Sequence, residues 1–246
     1  MFRIQIQSKK KCIWYCSAAV SFLLFLLLNL WCDHLVNMQD AQQMAGRWSE
    51  KKDVAQISCF FSSKAEVTED TIQSFEYSLK NVLQEASITE TSENPGARLW
   101  VDAYSADGKI TLVNGRNKLD ANAIGIGGDF FLFHPLKLIT GSYFSGNDLM
   151  QDYCIIDQDA AWQLFGSNDV VGMTVYIGNV PHIVTGVVRR PQGRMEKAAG
   201  LTSTVVYVSY ETLETYGTSN GINHYEIVMP NPVDEFAYGK VKEGIG

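Results

Sequence analysis

Four histidines and five cysteines are the first residues of this chain to consider as metal ligands or nucleophiles. The histidines stand singly along the sequence, so no two have the spacing of a metal-binding motif, and no cysteines form a CxxC pair. We interpret each histidine as a structural or surface residue. These histidines are His34, His134, His182 and His224.

Glycine-rich turns that bind phosphate are the second chemical signal to consider. The chain has no GxxxxGK[ST] loop and no G-x-S-x-G motif. Gly125–Gly128 faintly resembles a nucleotide-binding turn, but an aromatic run closed by Pro135 follows where the dinucleotide fingerprint requires an amphipathic helix. The sequence therefore predicts no catalytic, cofactor-binding or metal-binding residues, no cofactor, and a domain that neither binds nor hydrolyses ATP.

A charge-free segment at residues 13–32 dominates the N-terminal region. Twenty residues form a helix of roughly 30 Å, which matches the hydrocarbon core of a bilayer. Lys9–Lys11 precede the segment and Asp33 follows it, so the positive-inside rule places the N-terminus in the cytoplasm and everything after Asp33 outside. The net charge of -7 argues against a nucleic-acid partner.

A cleaved signal peptide is the alternative for this segment. Signal peptides have apolar regions of about 7–15 residues followed by small residues at the cleavage site. Here the run is longer and residues 30–34 are bulky, so we interpret it as an uncleaved anchor. Trp31 likewise argues against Cys32 as a lipid-attachment site.

Cys59 and Cys154 are the two cysteines of the exterior part. An oxidising exterior permits a disulfide between them, but a single widely spaced pair is no disulfide framework. We favour two buried free thiols over the disulfide, because free cysteine is among the most buried residue types.

The hydrophobic pattern after the anchor predicts an α+β domain. Leu35, Met38 and Met44 lie at helical spacing, which indicates a stalk helix continuing out of the bilayer. Residues 56–61 alternate as a strand, residues 68–86 form an amphipathic helix, and Asp107-Gly108 is expected to turn one strand into the next.

Many short strands and turns follow in the middle of the chain. Asp157 is expected to cap a short helix that Gly166 ends, and residues 174–177 and 182–188 are predicted to form a hairpin. The loop 189–203 carries four basic residues and is interpreted as solvated and mobile. The last helix is expected to be followed by a further strand, which would pair with the strand around Ile227 or its neighbours and is missing from this sequence.

The predicted parts follow one another along the chain. They are a basic cytoplasmic N-terminus (1–12), a transmembrane helix (13–32), a stalk helix (33–53), a first α+β part (54–118), a β-rich inserted part (119–203) and a second α+β part (204–246).

Two segments resemble the MacB-like periplasmic core domains of ABC transporter permeases, including the FtsX-like type. Residues 138–145 followed by Asn147-Asp148 resemble that family's Gly-x-x-Phe segment and its acidic turn. Residues 157–188 are similar again, with Leu164-Phe165-Gly166 ending a helix before the hairpin. The resemblance implies an α+β fold in which a split α+β (porter-like) part holds an inserted β-rich (sabre-like) part behind one N-terminal transmembrane helix.

The resemblance also implies a function. A permease of this kind is non-catalytic and couples ATP hydrolysis by a separate ABC ATPase subunit to export or to mechanical signalling outside the cell membrane. The implied partners are that ATPase, a second permease in a homodimer or heterodimer, the lipid bilayer, and an extracytoplasmic adaptor or substrate. The three further membrane helices of such permeases are absent, which we interpret as a truncation.

Two other classes of protein remain open at this stage. A single-span sensor or binding ectodomain fits the same topology, but it does not predict Gly166, Gly172 and Gly178 in this order. An anchored extracellular enzyme fits poorly, because no nucleophile, base and orienting group can be nominated.

Overall fold

The computed structural model describes residues 2–37, 39–49, 53–89, 98–190, 193 and 203–245. The chain divides into two compact units, residues 1–43 and residues 44–246. The first unit consists of the long helix α1 (Phe2–Asn37) and a 3₁₀ turn at Asp40–Gln42. Within α1, the segment Ile13–Val36 is long and apolar enough to cross a membrane, and its side chains are exposed rather than packed in a protein core. It contains the predicted span 13–32.

The stalk helix predicted over residues 33–53 does not form as a single helix. Helix α1 ends at Asn37, and a separate short helix, α2 (Met44–Trp48), comes before the first strand. The side-chain oxygen of Gln56 accepts the backbone N–H groups of Met44 (3.0 Å) and Ala45 (3.4 Å), which caps α2. Met44 is buried in the core of the second unit. Its burial and this cap together oppose a straight helix through residues 33–53.

The second unit is built on one mixed sheet of ten strands in the described part of the chain. The strands are β1 (Val54–Phe60), β2 (Val101–Asn114), β3 (Asn117–Gly128), β4 (Leu138–Gly141), β5 (Tyr153–Asp157), β6 (Thr174–Ile177), β7 (Val180–Val188), β8 (Val205–Ser209), β9 (Thr218–Ser219) and β10 (His224–Pro230). Their order is β1-β10-β2-β3-β8-β5-β7-β4, with β6 paired to β2 and β7 and with β9 paired to β2. The pairs β3·β8 and β5·β7 are parallel, and all the other pairs are antiparallel.

Helices cover both faces of this sheet. Besides α2 they are α3 (Glu69–Glu85), α4 (Phe130–Phe133), α5 (Gln158–Phe165), α6 (Tyr210–Tyr216) and α7 (Phe236–Ile245). The amphipathic helix α3 begins after Thr68 as predicted and buries Ile72, Phe75 and Leu79. Those residues join the larger core cluster, together with Val241 of α7. On the opposite face, α2 and α4 contribute to a smaller cluster that is rich in phenylalanine.

The turn predicted at Asp107-Gly108 is wrong, because β2 runs straight through these residues to Asn114. The hairpin instead turns between Asn114 and Asn117, where Gly115 has a positive φ of 60°. A Cβ at Gly108 would overlap the carbonyl oxygen of Thr218, so glycine at this position lets β9 approach β2. The predicted boundary between residues 118 and 119 therefore falls inside β3.

Residues 157–188 follow the predicted local signals closely. The Oδ1 atom of Asp157 accepts the N–H of Ala160 at 2.8 Å at the start of α5, and Gly166 ends that helix with a φ of 73°. The predicted hairpin forms from β6 and β7 around Gly178-Asn179, which both have positive φ.

The further strand predicted beside the strand of Ile227 or its neighbours stays a prediction, and the sheet order excludes only β10 as its partner. Strand β10 is paired on both sides, with β1 along its whole length and with β2 from His224 to Val228. No edge of β10 is open for a further strand over those residues. The edge strand at this end of the sheet is β1.

Candidate functional site

The glycines of residues 125–128, which faintly resemble a nucleotide-binding turn in the sequence, lie at the end of β3. A Cβ at Gly125 would lie 2.8 Å from Leu213 of α6, and a Cβ at Gly127 would overlap the ring of Tyr104. These glycines therefore allow close packing of side chains over the strand, and no phosphate-cradling loop is formed by residues 125–128.

Cys59 and Cys154 are free thiols, as favoured from the sequence, but only Cys154 is buried, and Cys59 is partly exposed. Burial raises the pKa of Cys154 to about 12 and also raises the pKa of Cys59. Cys59 lies on β1 and Cys154 on β5, with four strands between them in the sheet order. That separation is about 24 Å at the usual strand spacing, whereas a disulfide needs Cα atoms within about 7 Å.

Near the start of the basic loop 189–203, the side chain of Arg190 is paired with protein atoms. Arg190 donates to Oδ2 of Asp157 from Nη2 (2.7 Å) and Nε (3.1 Å), and Val205 N–H donates to the same oxygen (3.1 Å). Asp157 therefore joins the ends of β5 and β7 to the starts of α5 and β8. The expectation of a solvated Arg190 is wrong, because a buried carboxylate requires charged or hydrogen-bonding partners. Arg194 and Lys197 lie outside the described residues.

A cavity of about 650 Å³ lies between α3 and β2. Carboxylates from Glu69, Glu76 and Asp102 line it, together with Trp100 and Tyr104. Burial raises the pKa of Asp102 to about 8, and repulsion from Glu76 adds to the rise. The hydroxyl of Tyr225 donates to Oδ2 of Asp102 at 3.2 Å. Nothing in the sequence shows that Glu76 faces Asp102 across a cavity.

Two of the four histidines converge on one carboxylate, and we call His134, His224 and Glu226 the histidine–glutamate cluster. Strand β10 contributes His224 and Glu226, and His134 follows α4. The Nε2 atom of His134 lies 2.5 Å from Oε2 of Glu226, and Nε2 of His224 lies 3.8 Å from Oε1. Candidate ligand atoms of the three residues all lie within 4.8 Å of one another.

The electrostatics of this cluster reflect its partial burial. Burial lowers the pKa of His224, while the Glu226 carboxylate opposes that change. Burial alone would raise the pKa of Glu226, but the close contact and charge of His134, helped by the charge of His224 and the hydrogen bond from Ser58, bring its pKa below the ordinary value. The carboxylate is therefore ionised at neutral pH.

The spacing of the histidines along the sequence does not predict this cluster, because His134 and His224 are far apart in the chain. The available signal was the His-x-Glu spacing on a strand, since residues i and i+2 share one face. His182 does have a structural role: it is buried, with Nε2 3.2 Å from the hydroxyl of Thr212. His34 lies exposed on α1.

Comparison with known proteins supplies the family context. A family model described as the MacB-like periplasmic core domain matches residues 38–244. The chain is similar to the macrolide export ATP-binding/permease protein MacB of Chromobacterium violaceum, with 31% identity over 96 residues that cover 38% of this chain and 14% of that protein. The protein of the same name from Pasteurella multocida is 30% identical over 116 residues, which cover 46% of this chain and 18% of that protein. The matched part therefore spans less than a fifth of these relatives.

Two solved structures are similar in fold. One is the extracellular domain of the noncanonic ABC-type transporter YknZ from Gram-positive bacteria, with 22% identity, a TM-score of 0.45, and coverage of 76% of this chain and 88% of that one. The other is the periplasmic region of MacB from Actinobacillus actinomycetemcomitans, with 19% identity, a TM-score of 0.47, and coverage of 77% of this chain and 80% of that one.

Proposed function

Since the chain belongs to the family of MacB-like periplasmic core domains, we propose that it carries movement generated by a separate ABC ATPase to the outside of the membrane, for export or for mechanical signalling. The observation that carries this proposal is the family match over residues 38–244, directly behind the apolar segment Ile13–Val36. An anchor followed at once by such a domain is the arrangement expected of an ABC transporter permease.

The proposed orientation rests on charge. Lys9–Lys11 lie next to the membrane segment, whereas the sequence after it is strongly acidic. The positive-inside rule then favours a cytoplasmic N-terminus and an extracytoplasmic second unit.

The proposed role of the second unit is mechanical rather than catalytic. Helix α2 is the first element of this unit, and it is tied to two others. Gln56 of β1 accepts its first N–H groups, and Nη2 of Arg47 donates to the carbonyl oxygen of Leu132 in α4 at 2.6 Å. A displacement that reaches α2 along the chain would therefore act on both β1 and α4, and the continuous sheet would carry it further.

ATP hydrolysis belongs to a partner in this proposal. The sequence contains no GxxxxGK[ST] loop, and the names of its relatives pair ATP binding with permease function. We propose an ABC ATPase subunit in the cytoplasm, a second permease chain in a homodimer or heterodimer, and an adaptor or substrate outside.

Co-purification tests this proposal. The intact protein is solubilised from its own membranes and isolated by an affinity tag, and an ATPase subunit with a GxxxxGK[ST] loop should accompany it. Replacing the lysine of that loop should abolish ATP hydrolysis by the complex and reproduce the phenotype of deleting the permease.

A matched pair of variants tests the mechanical role. Arg47→Ala should weaken the coupled activity of the complex while the ATPase still co-purifies, whereas Arg116→Ala, at the exposed tip of the β2–β3 hairpin, should not. Isolation of the protein without any ATPase, together with an unchanged phenotype of the ATPase variant, would contradict the proposal and favour a single-span sensor or binding ectodomain.

A further inference from the structure

The histidine–glutamate cluster is held by elements that are far apart in the sequence. His224 and Glu226 project from the same face of β10, because they are two positions apart on a strand. His134 is placed by α4, which follows the long strand β3. Two aromatic rings flank the imidazoles: Phe60 stacks on His224 and Phe130 lies against His134, each with ring centroids 4.6 Å apart. These contacts restrict both imidazole orientations.

Three polar atoms of the cluster lack a hydrogen bond of acceptable geometry among the described residues. They are Nε2 of His134, Nε2 of His224 and Oε2 of Glu226, and all three are inaccessible to solvent. Nε2 of His134 is in ion-pair contact with Oε2 of Glu226, and Nε2 of His224 lies 3.8 Å from Oε1 of the same carboxylate, too far for a hydrogen bond. Buried polar atoms normally have hydrogen-bond partners, so three such atoms around one carboxylate indicate a missing ligand.

The donor set identifies the chemical class of that ligand. Two imidazole nitrogens and one carboxylate oxygen are typical of Zn²⁺ sites with an additional water ligand. Ser58 donates to Oε1 of Glu226 at 3.1 Å, which leaves Oε2 for the ion and orients the carboxylate from outside the coordination shell. The side chains of His134 and His224 are 24% and 19% exposed, so an ion and its water can enter.

The distances also fit an ion after small movements. Ligand atoms of a tetrahedral Zn²⁺ lie about 3.3 Å apart when the metal–ligand distances are about 2.0 Å. Nε2 of His134 and Oε2 of Glu226 are 2.5 Å apart, so these two ligand atoms must separate by about 0.8 Å to reach that value. Nε2 of His224 lies 3.8 Å from Oε1, the other oxygen of the same carboxylate.

We propose that His134, His224 and Glu226 bind a divalent transition-metal ion, Zn²⁺ by its ligand preference. The ion ties the α4 segment to β10, the strand that pairs with β1 and β2. Coordination of the ion links the segment after β3 to the strand that precedes α7. This site stands independently of the permease proposal, since its ligands are all in the second unit.

Metal titration tests the site directly. The full chain is purified in detergent without a polyhistidine tag, stripped with a chelator, and titrated with Zn²⁺ by calorimetry and with Co²⁺ by visible absorption. We expect one ion per chain, the absorption of a four-coordinate Co²⁺ site, and a higher melting temperature with Zn²⁺.

Variants distinguish the cluster from other metal-binding groups. His224→Ala and Glu226→Gln should each weaken binding by more than about 100-fold, since loss of an outer-shell partner alone costs about 10–100-fold. Ser58→Ala is expected to give that smaller, outer-shell loss. His34→Ala is the matched control and should bind Zn²⁺ like the wild type.

Two results would overturn the proposal. One is a folded wild-type chain that binds no ion, in which case His134 and Glu226 form an ion pair and nothing more. The other is binding that survives in His224→Ala and Glu226→Gln. Circular dichroism of the metal-free variants shows whether they are folded. If His224→Ala does not fold, Glu226→Gln still tests the site, because glutamine preserves the shape of the glutamate side chain.

Discussion

Replacement of Asp102 by asparagine should change how the stability of the sheet-rich unit depends on pH. Asp102 lines the cavity between α3 and β2, beside Glu76 and Tyr225. Burial first, and then the charge of Glu76, raise the pKa of this carboxyl from 3.8 to about 8. Asparagine has nearly the same shape and can still accept the hydrogen bond from Tyr225, but it cannot ionise.

The sign and size of the effect follow from proton linkage. Between pH 4 and 8 the folded protein keeps a proton on Asp102 that the unfolded chain has lost. The contribution of this group to stability is therefore full below about pH 4 and is lost as the pH rises towards 8. One such proton gives a slope of about 1.4 kcal/mol per pH unit, so between pH 5 and 7 the wild type should lose about 3 kcal/mol relative to Asp102→Asn.

Urea unfolding of the full chain in detergent, measured at pH 5, 6 and 7, gives this difference. Trp100 lines the same cavity, so tryptophan fluorescence reports on the region. Asp234→Asn, at an exposed position, is the matched control and should follow the wild type at each pH. Glu76→Gln should reduce the slope without abolishing it, because burial is the larger cause. A difference between wild type and Asp102→Asn that stays constant over this range, or that grows in the opposite direction, would refute the reasoning.

Three other predictions concern topology, the buried ion pair and backbone packing. A reporter fused after residue 60 should be active only outside the cytoplasm, and cytoplasmic activity would contradict the orientation proposed from the charges. Asp157→Asn should destabilise the protein by roughly 1–3 kcal/mol in urea unfolding, because it removes one of the two carboxylates that pair with the half-buried Arg190 and leaves Asp159, whereas an unchanged midpoint would show that Asp159 compensates fully. Gly127→Ala should cost about 1–3 kcal/mol, because its methyl group would displace the buried ring of Tyr104, whereas Gly46→Ala meets no atom within 4 Å and should leave the melting temperature unchanged or higher. Equal melting temperatures for the two glycine variants would show that the ring adjusts freely.

Elements with strong local signals were predictable from the sequence. The charge-free run at residues 13–32 indicated α1 because helix length and composition depend only on neighbouring residues. The cap at Asp157, the end of α5 at Gly166 and the turn at Gly178 were predictable for the same reason. Each of these features is decided by hydrogen bonds or backbone angles within a few positions.

Features that depend on distant partners were not predictable in this way. Asp107-Gly108 has the composition of a turn, but the approach of β9 to β2 makes Gly108 a strand residue. The helical spacing after residue 33 suggested a straight stalk, yet burial of Met44 and the cap from Gln56 end that continuity. In both places a tertiary contact outweighs a modest local preference.

The cavity between α3 and β2 and the histidine–glutamate cluster are the two candidate functional features that depend on contacts between distant residues. The residue types were visible in the sequence, and so was the His-x-Glu spacing on one strand. What the sequence by itself determined was the long apolar helix, the locally capped helices, the hairpin of β6 and β7 and the α+β class, because short-range interactions decide them. The raised pKa of Asp102 and the meeting of His134 with Glu226 were decided only by the tertiary structure. Charge interactions and metal coordination act over a few ångströms in space, and only the folded sheet brings those groups within that range.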